Sequence, residues 1–154
     1  FQNDWELAIP MSKVDQAFQF VVQHSINDGL HFPLIGVFLR FAPAEDKALL
    51  AHSTSVGAFS PNEGVVFMEF PTPTPLGFPN DAQARIDGPF LELVNTLITE
   101  YSARPHWGKN APHAFLKQNE VNAYGANLDK FKAIALELDP DGMFANDFFK
   151  QLGF

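Results

Sequence analysis

The sequence contains no cysteine, which removes disulfides, thiolate nucleophiles and cysteine-type zinc sites together. It is also poor in positive charge, with 10 Lys and Arg against 18 Asp and Glu, a formal net charge of −8 and no basic cluster. Such a chain offers no footprint for a phosphate backbone, so nucleic acid is excluded as a partner. No apolar run approaches the roughly 20 residues that cross a bilayer, and no transmembrane segment is expected. The opening Phe1-Gln2-Asn3-Asp4-Trp5 lacks the basic and apolar parts of a signal peptide. It runs straight into strand-like sequence, from which the chain is expected to be a piece of something longer. An Asn-x-Ser/Thr acceptor and a Gly-rich nucleotide loop are both missing.

What is present is enough apolar sequence for a core: 46% of 154 residues, 17 of them Phe, which excludes general disorder. Trp5 to Ile9 reads as a strand ended by Pro10. Ser12 is placed as the N-cap of a helix whose Val14, Ala17, Phe18, Val21 and Val22 share one face and which stops near Gly29. Leu34 to Phe41 reads as a strand with Ile35, Val37, Leu39 and Phe41 facing the core and Gly36, Phe38 and Arg40 on the other side. Ser55 to Ser60 and Val65 to Pro71 read as a hairpin around Pro61-Asn62-Glu63-Gly64. An extended proline-rich connection from Thr72 to Pro79 leads to a helix from Pro89 to Tyr101. A last helix, Leu128 to Leu138, is closed by the turn Asp139-Pro140-Asp141-Gly142. The pattern predicts an α+β fold, a largely antiparallel sheet with helices packed on one face.

Two places carry candidate chemistry. Arg40 lies within an apolar strand, where a guanidinium needs a carboxylate, a ligand or solvent. Arg104-Pro105-His106-Trp107-Gly108-Lys109 gathers a guanidinium, an imidazole, an indole and an ammonium on one loop, the kind of segment on which binding groups concentrate. A lysine held there can donate to a substrate hydroxyl or stabilise a developing alkoxide; Trp107 can equally anchor the loop to the core. His24, His31 and His52 stand isolated, and His106 and His113 lack the i, i+4 spacing of a helical metal pair. No metal site is expected.

The Arg104-to-Lys109 motif, followed downstream by Leu138-Asp-Pro-Asp-Gly-Met-Phe-Ala-Asn146, resembles the carboxy-terminal part of the FAD-linked sugar-1,4-lactone oxidases and alditol oxidases of the vanillyl-alcohol-oxidase superfamily. Trp5-Glu6-Leu7-Ala8-Ile9-Pro10 resembles the entry into that family's substrate domain. Pro33-Leu34 to Arg40-Phe41, with Ala44-Glu45-Asp46 behind, resembles its central strand. The resemblance implies the substrate-domain half of a two-domain flavoprotein, with residues 1–103 as the substrate (cap) domain and 104–154 packing toward an absent FAD-binding domain. It implies oxidation of a CH–OH group by hydride transfer to flavin, Lys109 and Arg40 being catalytic and Phe38, His106 and Trp107 lining the substrate pocket. His106 and Asn146 would lie against FAD, itself bound mainly by a domain outside this chain. The implied partners are that FAD-binding half, as a separate chain, and a small-molecule alcohol. Phe38 stands where the family carries a glutamate, which points to a less hydroxylated substrate, or to reduced activity, unless Glu45, Asp46 or Glu69 supplies the acid. The chain alone is not expected to be an enzyme, and the competing reading is a non-catalytic binding, storage or structural protein built on the same domain.

Overall fold

The computed structural model describes residues 2–27, 36–73, 80–109 and 123–151. Strand β1 (Gln2–Pro10) leads through a 3-10 turn, Met11–Lys13, into helix α1 (Val14–Asn27). Strands β2 (Phe38–Ala42) and β3 (Val65–Pro73) follow, then helix α2 (Asn80–Tyr101), the two-residue strand β4 (Arg104–Pro105) and helices α3 (Ala126–Leu138) and α4 (Asp147–Gln151). The strands form an antiparallel sheet in the order β2-β3-β1-β4. The α+β expectation holds.

Alternation along β1 and β3 divides the sheet into two chemically different faces. Trp5, Leu7 and Ile9 join Met68 and Phe70 on the first, and Ala17 and Val21 of α1 with Leu93, Val94, Leu97 and Ile98 of α2 close over them as the core. Asp4, Glu6 and Ala8 point the other way. Lys13 ties the two helices together, its Nζ donating to Ser102 Oγ at 2.9 Å and to the Glu100 carbonyl at 3.1 Å.

Several expectations are corrected. Ser12 is not a helix cap: it sits inside the 3-10 turn, whose N-cap is Pro10 without a side-chain bond. Leu39 and Phe41 are exposed rather than core, because β2 is the edge strand and the helical layer centres on β1 and β3. Val37, just before β2, does pack against the core. The hairpin partner does not form: Ser55 to Ser60 is a chain of turns, and β3 pairs with β1 and β2 instead. The reason lies in Arg104, which takes the carbonyls of Thr54 and Val56 at 2.5 and 2.7 Å and so removes them from any ladder. Helix α2 begins before Pro89 rather than at it; a proline forfeits one helical bond, a loss the cooperativity of a 22-residue helix absorbs. The expected helix end at Gly29, residues Leu34, Ile35, His31 and His113, and the connection from Thr74 to Pro79 lie outside the described residues.

Gly64 closes the turn before β3 with φ +80°, and a Cβ there would stand 2.9 Å from the Ala42 carbonyl oxygen. Only glycine lets β2 and β3 meet so closely at this point. None of the described helices is long and apolar enough to cross a membrane.

Candidate functional site

The face of the sheet away from the helices carries the charge. The register sets Glu69 opposite Glu6 and also opposite Phe38, with Arg40 opposite Phe67. Two glutamates directly opposed across antiparallel strands repel each other, and the cation that relieves this is Lys109. Its Nζ donates to Glu69 Oε1 at 2.9 Å and to Asp4 Oδ2, and lies 3.5 Å from Glu6 Oε2. Burial on its own lowers the ammonium's pKa, but the bonds from Asp4 and Glu69 overcome this and raise it. Lys109 is therefore a held cation and a hydrogen-bond donor, and not a proton acceptor.

Glu6 is the centre of the arrangement, its side chain 2% exposed. Arg40 Nη2 donates to its Oε1 at 2.7 Å, and His52 Nε2 lies 3.3 Å from the same oxygen. Burial raises the carboxyl's pKa, yet the His52 bond and the Arg40 charge outweigh it and bring it down to about 2. The guanidinium in β2 has thus found its carboxylate, while 58% of its side chain stays exposed above the Phe67 ring, 5.2 Å from the centroid.

The loop after β4 supplies the remaining groups. Its His106 N–H donates to the Glu6 carbonyl at 2.9 Å, which extends the β1 pairing past Pro105 and fixes where the loop leaves the sheet. The Gly108 N–H donates to His106 Nδ1 at 3.0 Å, so the other ring nitrogen, Nε2, carries the proton of the neutral imidazole. Burial, then His52, lowers the His106 pKa, and the ring meets that of His52 edge-on at 4.8 Å. Trp107 Nε1 donates to the Leu50 carbonyl at 2.6 Å and the indole stacks on Tyr124. Behind the loop, buried Arg104 donates to the Thr54, Val56 and Ala123 carbonyls and lies between the Phe59 and Tyr124 rings, 4.0 and 4.8 Å from their centroids. This guanidinium is a staple that positions the 52–59 segment over the sheet.

Potential metal-ligating atoms of Glu6, His52 and His106 lie within 4.8 Å of one another. Arg40 and Lys109 contact the same carboxylate, however, and two fixed cations oppose a third. The trio suits proton handling better than metal binding.

Of the residues singled out in the sequence, Arg40, Phe38, His106 and Lys109 gather on or beside this one sheet face, while Trp107 anchors the loop, packed against the core and bonded to the Leu50 carbonyl. Asn146 does not join them: its Oδ1 accepts from the Phe149 N–H at 3.0 Å as the cap of α4, and it bonds none of the other candidates. Asp4, Glu6 and His52 were missed as site residues. Asp4 and Glu6 are legible in hindsight from the alternation against Trp5, Leu7 and Ile9; His52, on an irregular segment, has no such signal.

Comparison with known proteins finds relatives that match part of the chain. The chain is 34% identical over 65 residues to an L-gulonolactone oxidase of Scyliorhinus torazame, covering 42% of this chain and 14% of that protein. It is 34% identical over 56 residues to L-gulonolactone oxidase 3 of Arabidopsis thaliana, covering 36% and 9%. It is 40% identical over 55 residues to a long-chain alcohol oxidase of an uncultured marine euryarchaeote, covering 36% and 11%. The aligned part is thus a small fraction of each relative. The family model for D-arabinono-1,4-lactone oxidase matches residues 1–152, which takes in every described strand and the whole cation-and-carboxylate face, and the chain belongs to the D-arabinono-1,4-lactone oxidase family.

Proposed function

We propose that this chain is the substrate-domain half of an FAD-dependent oxidoreductase that oxidises a CH–OH group of a sugar lactone or polyol-like substrate, with Lys109 and Arg40 facing the substrate. The observation that carries the reading is the convergence of Arg40, Lys109, Glu6 and Glu69 on one sheet face of a chain matched to a lactone-oxidase family over almost its whole length.

FAD, when bound, accepts the hydride from the substrate carbon. The chain's own residues bind and polarise the alcohol. Lys109, kept protonated by Asp4 and Glu69, presents an ammonium that stabilises negative charge growing on the hydroxyl oxygen. Arg40 adds a second cation from the edge strand, held in place by Glu6. Glu69, directly opposite Phe38, offers the carboxylate that position 38 lacks, so the pocket combines an acid for hydroxyl groups with an apolar ring. Among the described residues Asp4 Oδ1 is buried without a hydrogen-bond partner, and a hydroxyl or ring N–H of a bound ligand would satisfy it. That orphaned acceptor fits a pocket completed by substrate and flavin. His106 and Trp107 shape its far side.

Most of the FAD contacts would come from an FAD-binding half outside this chain, expected as a separate partner chain, with residues 104–154 packing toward it and Asn146 on the cofactor side. The outer surface of α3 and the turn after it supports such a partner: Leu136, Leu138, Met143 and Phe144 are each more than two-thirds exposed, more apolar surface than a segment normally leaves in water. Lys109→Ala is expected to lower kcat/KM at least a hundredfold while flavin absorbance is retained. Wild-type turnover in that variant, or a native complex that binds no flavin, would refute the reading.

A further inference from the structure

We infer that His52, oriented by Glu6, is the base that takes the hydroxyl proton of the substrate. The inference rests on the proposed oxidation and adds to it a residue that the sequence motifs leave out. Oxidation of an alcohol to a carbonyl breaks an O–H and a C–H bond. With FAD bound, the flavin would supply the acceptor for the carbon's hydrogen and its electron pair, and the second C–O bond would form as the oxygen gives up its proton. Lys109 cannot take that proton, because three carboxylates hold it as ammonium, and the Arg40 guanidinium offers donors and no acceptor. Glu6 is a poor acceptor, its pKa held near 2 and its oxygens occupied by Arg40 and Lys109.

His52 has the required geometry. Glu6, ionised, can only accept, so the contact at 3.3 Å is an Nε2–H donating to Oε1; bonds of this kind are commonly long before substrate binds. Nδ1 is left as the basic nitrogen, with no hydrogen-bond partner among the described residues. A carboxylate that fixes the tautomer of an imidazole and steadies the imidazolium is the orienting half of a His-acid pair. The ring rests on Phe67, 4.7 Å between centroids, with 15% of the side chain exposed, so it is held yet reachable. The groups that bear on its charge are Glu6 from β1, Arg40 from β2, Glu69 from β3, and His106 and Lys109 from the loop after β4.

The test uses the assembled flavoprotein with a panel of alditols and sugar lactones. His52→Gln keeps a donor for Glu6 but has no base, and is expected to lower kcat by about 10²- to 10⁴-fold, to leave KM within about threefold and to flatten the acid limb of the kcat/KM profile. Added imidazole is expected to restore part of the turnover of His52→Ala, which loss of a merely structural contact would not allow. A readout free of turnover and of variants is nitrogen-15 NMR of the histidine rings, expected to find His52 protonated on Nε2 and bare on Nδ1 at neutral pH. Wild-type kcat with an unchanged acid limb in His52→Gln, or an Nδ1-protonated ring in the wild type, overturns the inference and leaves the proposed oxidation standing. A flavin-loaded wild type that oxidises no alcohol ends both.

Discussion

Glu6→Gln isolates the charge at the centre of the site, because glutamine keeps the shape of the side chain and removes only its ionisation. In the folded chain the Glu6 carboxyl titrates at about 2 against 4.5 when unperturbed. A carboxylate depressed in this way stabilises the fold at pH values above its unfolded pKa, and that contribution disappears as pH falls through the folded pKa. The difference corresponds to about 3 kcal/mol at roughly 1.4 kcal/mol per pKa unit. The side chain is almost wholly buried, so solvent screening removes little of it. Urea unfolding of wild type and Glu6→Gln, followed by circular dichroism from pH 7 to pH 2, is therefore expected to give a gap of about 3 kcal/mol at neutral pH. The gap closes between pH 4.5 and pH 2. Other acids titrate in the same window, and the difference between the two proteins removes their contribution. A gap that stays constant with pH would falsify the assignment of Glu6 as a charge-paired carboxylate.

Arg104→Met is expected to destabilise the chain by about 3–5 kcal/mol, since it strips the donors from three carbonyls, each worth about 1–3 kcal/mol when left buried and unpaired; at about 3 °C per kcal/mol differential scanning calorimetry should record a fall in Tm of about 10 °C, and a fall under about 2 °C would mean that the 54–59 segment is held by something else. Gly64→Ala places a methyl 2.9 Å from the Ala42 carbonyl at a positive φ and should cost about 1–3 kcal/mol; chemical denaturation showing no loss would contradict the close approach of β2 and β3. Lys109→Ala, besides its effect on turnover, leaves Asp4, Glu6 and Glu69 facing one another with Arg40 as their nearest described cation, and a loss of about 2–4 kcal/mol at pH 7 is expected by the same unfolding assay. Stability equal to wild type would show that the three carboxylates do not need the ammonium.

Reading the chain residue by residue succeeds where the physics is local. The period-2 pattern of Trp5, Leu7 and Ile9 and the period-3.6 pattern of Phe90, Leu93, Val94, Leu97 and Ile98 depend on neighbours in sequence, and β1 and the packed half of α2 follow from them. The hairpin reading fails because Ser55 to Ser60 has strand-like composition but its carbonyls are claimed by Arg104 from about fifty residues away. Leu39 and Phe41 misled for a related reason: alternation says which residues share a face, and not whether an edge strand has anything packed on that face.

The site divides along the same line. Sequence alone determined that the chain lacks thiol chemistry and a nucleic-acid footprint, that it folds as α+β, and that Arg104 to Lys109 is the segment to watch, because composition, periodicity and motif order are carried within the chain. Only the tertiary structure decided that Lys109 meets Asp4 and Glu69, that Arg40 and His52 share one oxygen of Glu6, and that His52 belongs to the site at all. Those contacts join residues 34 to 105 positions apart, and charges so distant in sequence come together only once strand register and the Arg104 staple have set the backbone.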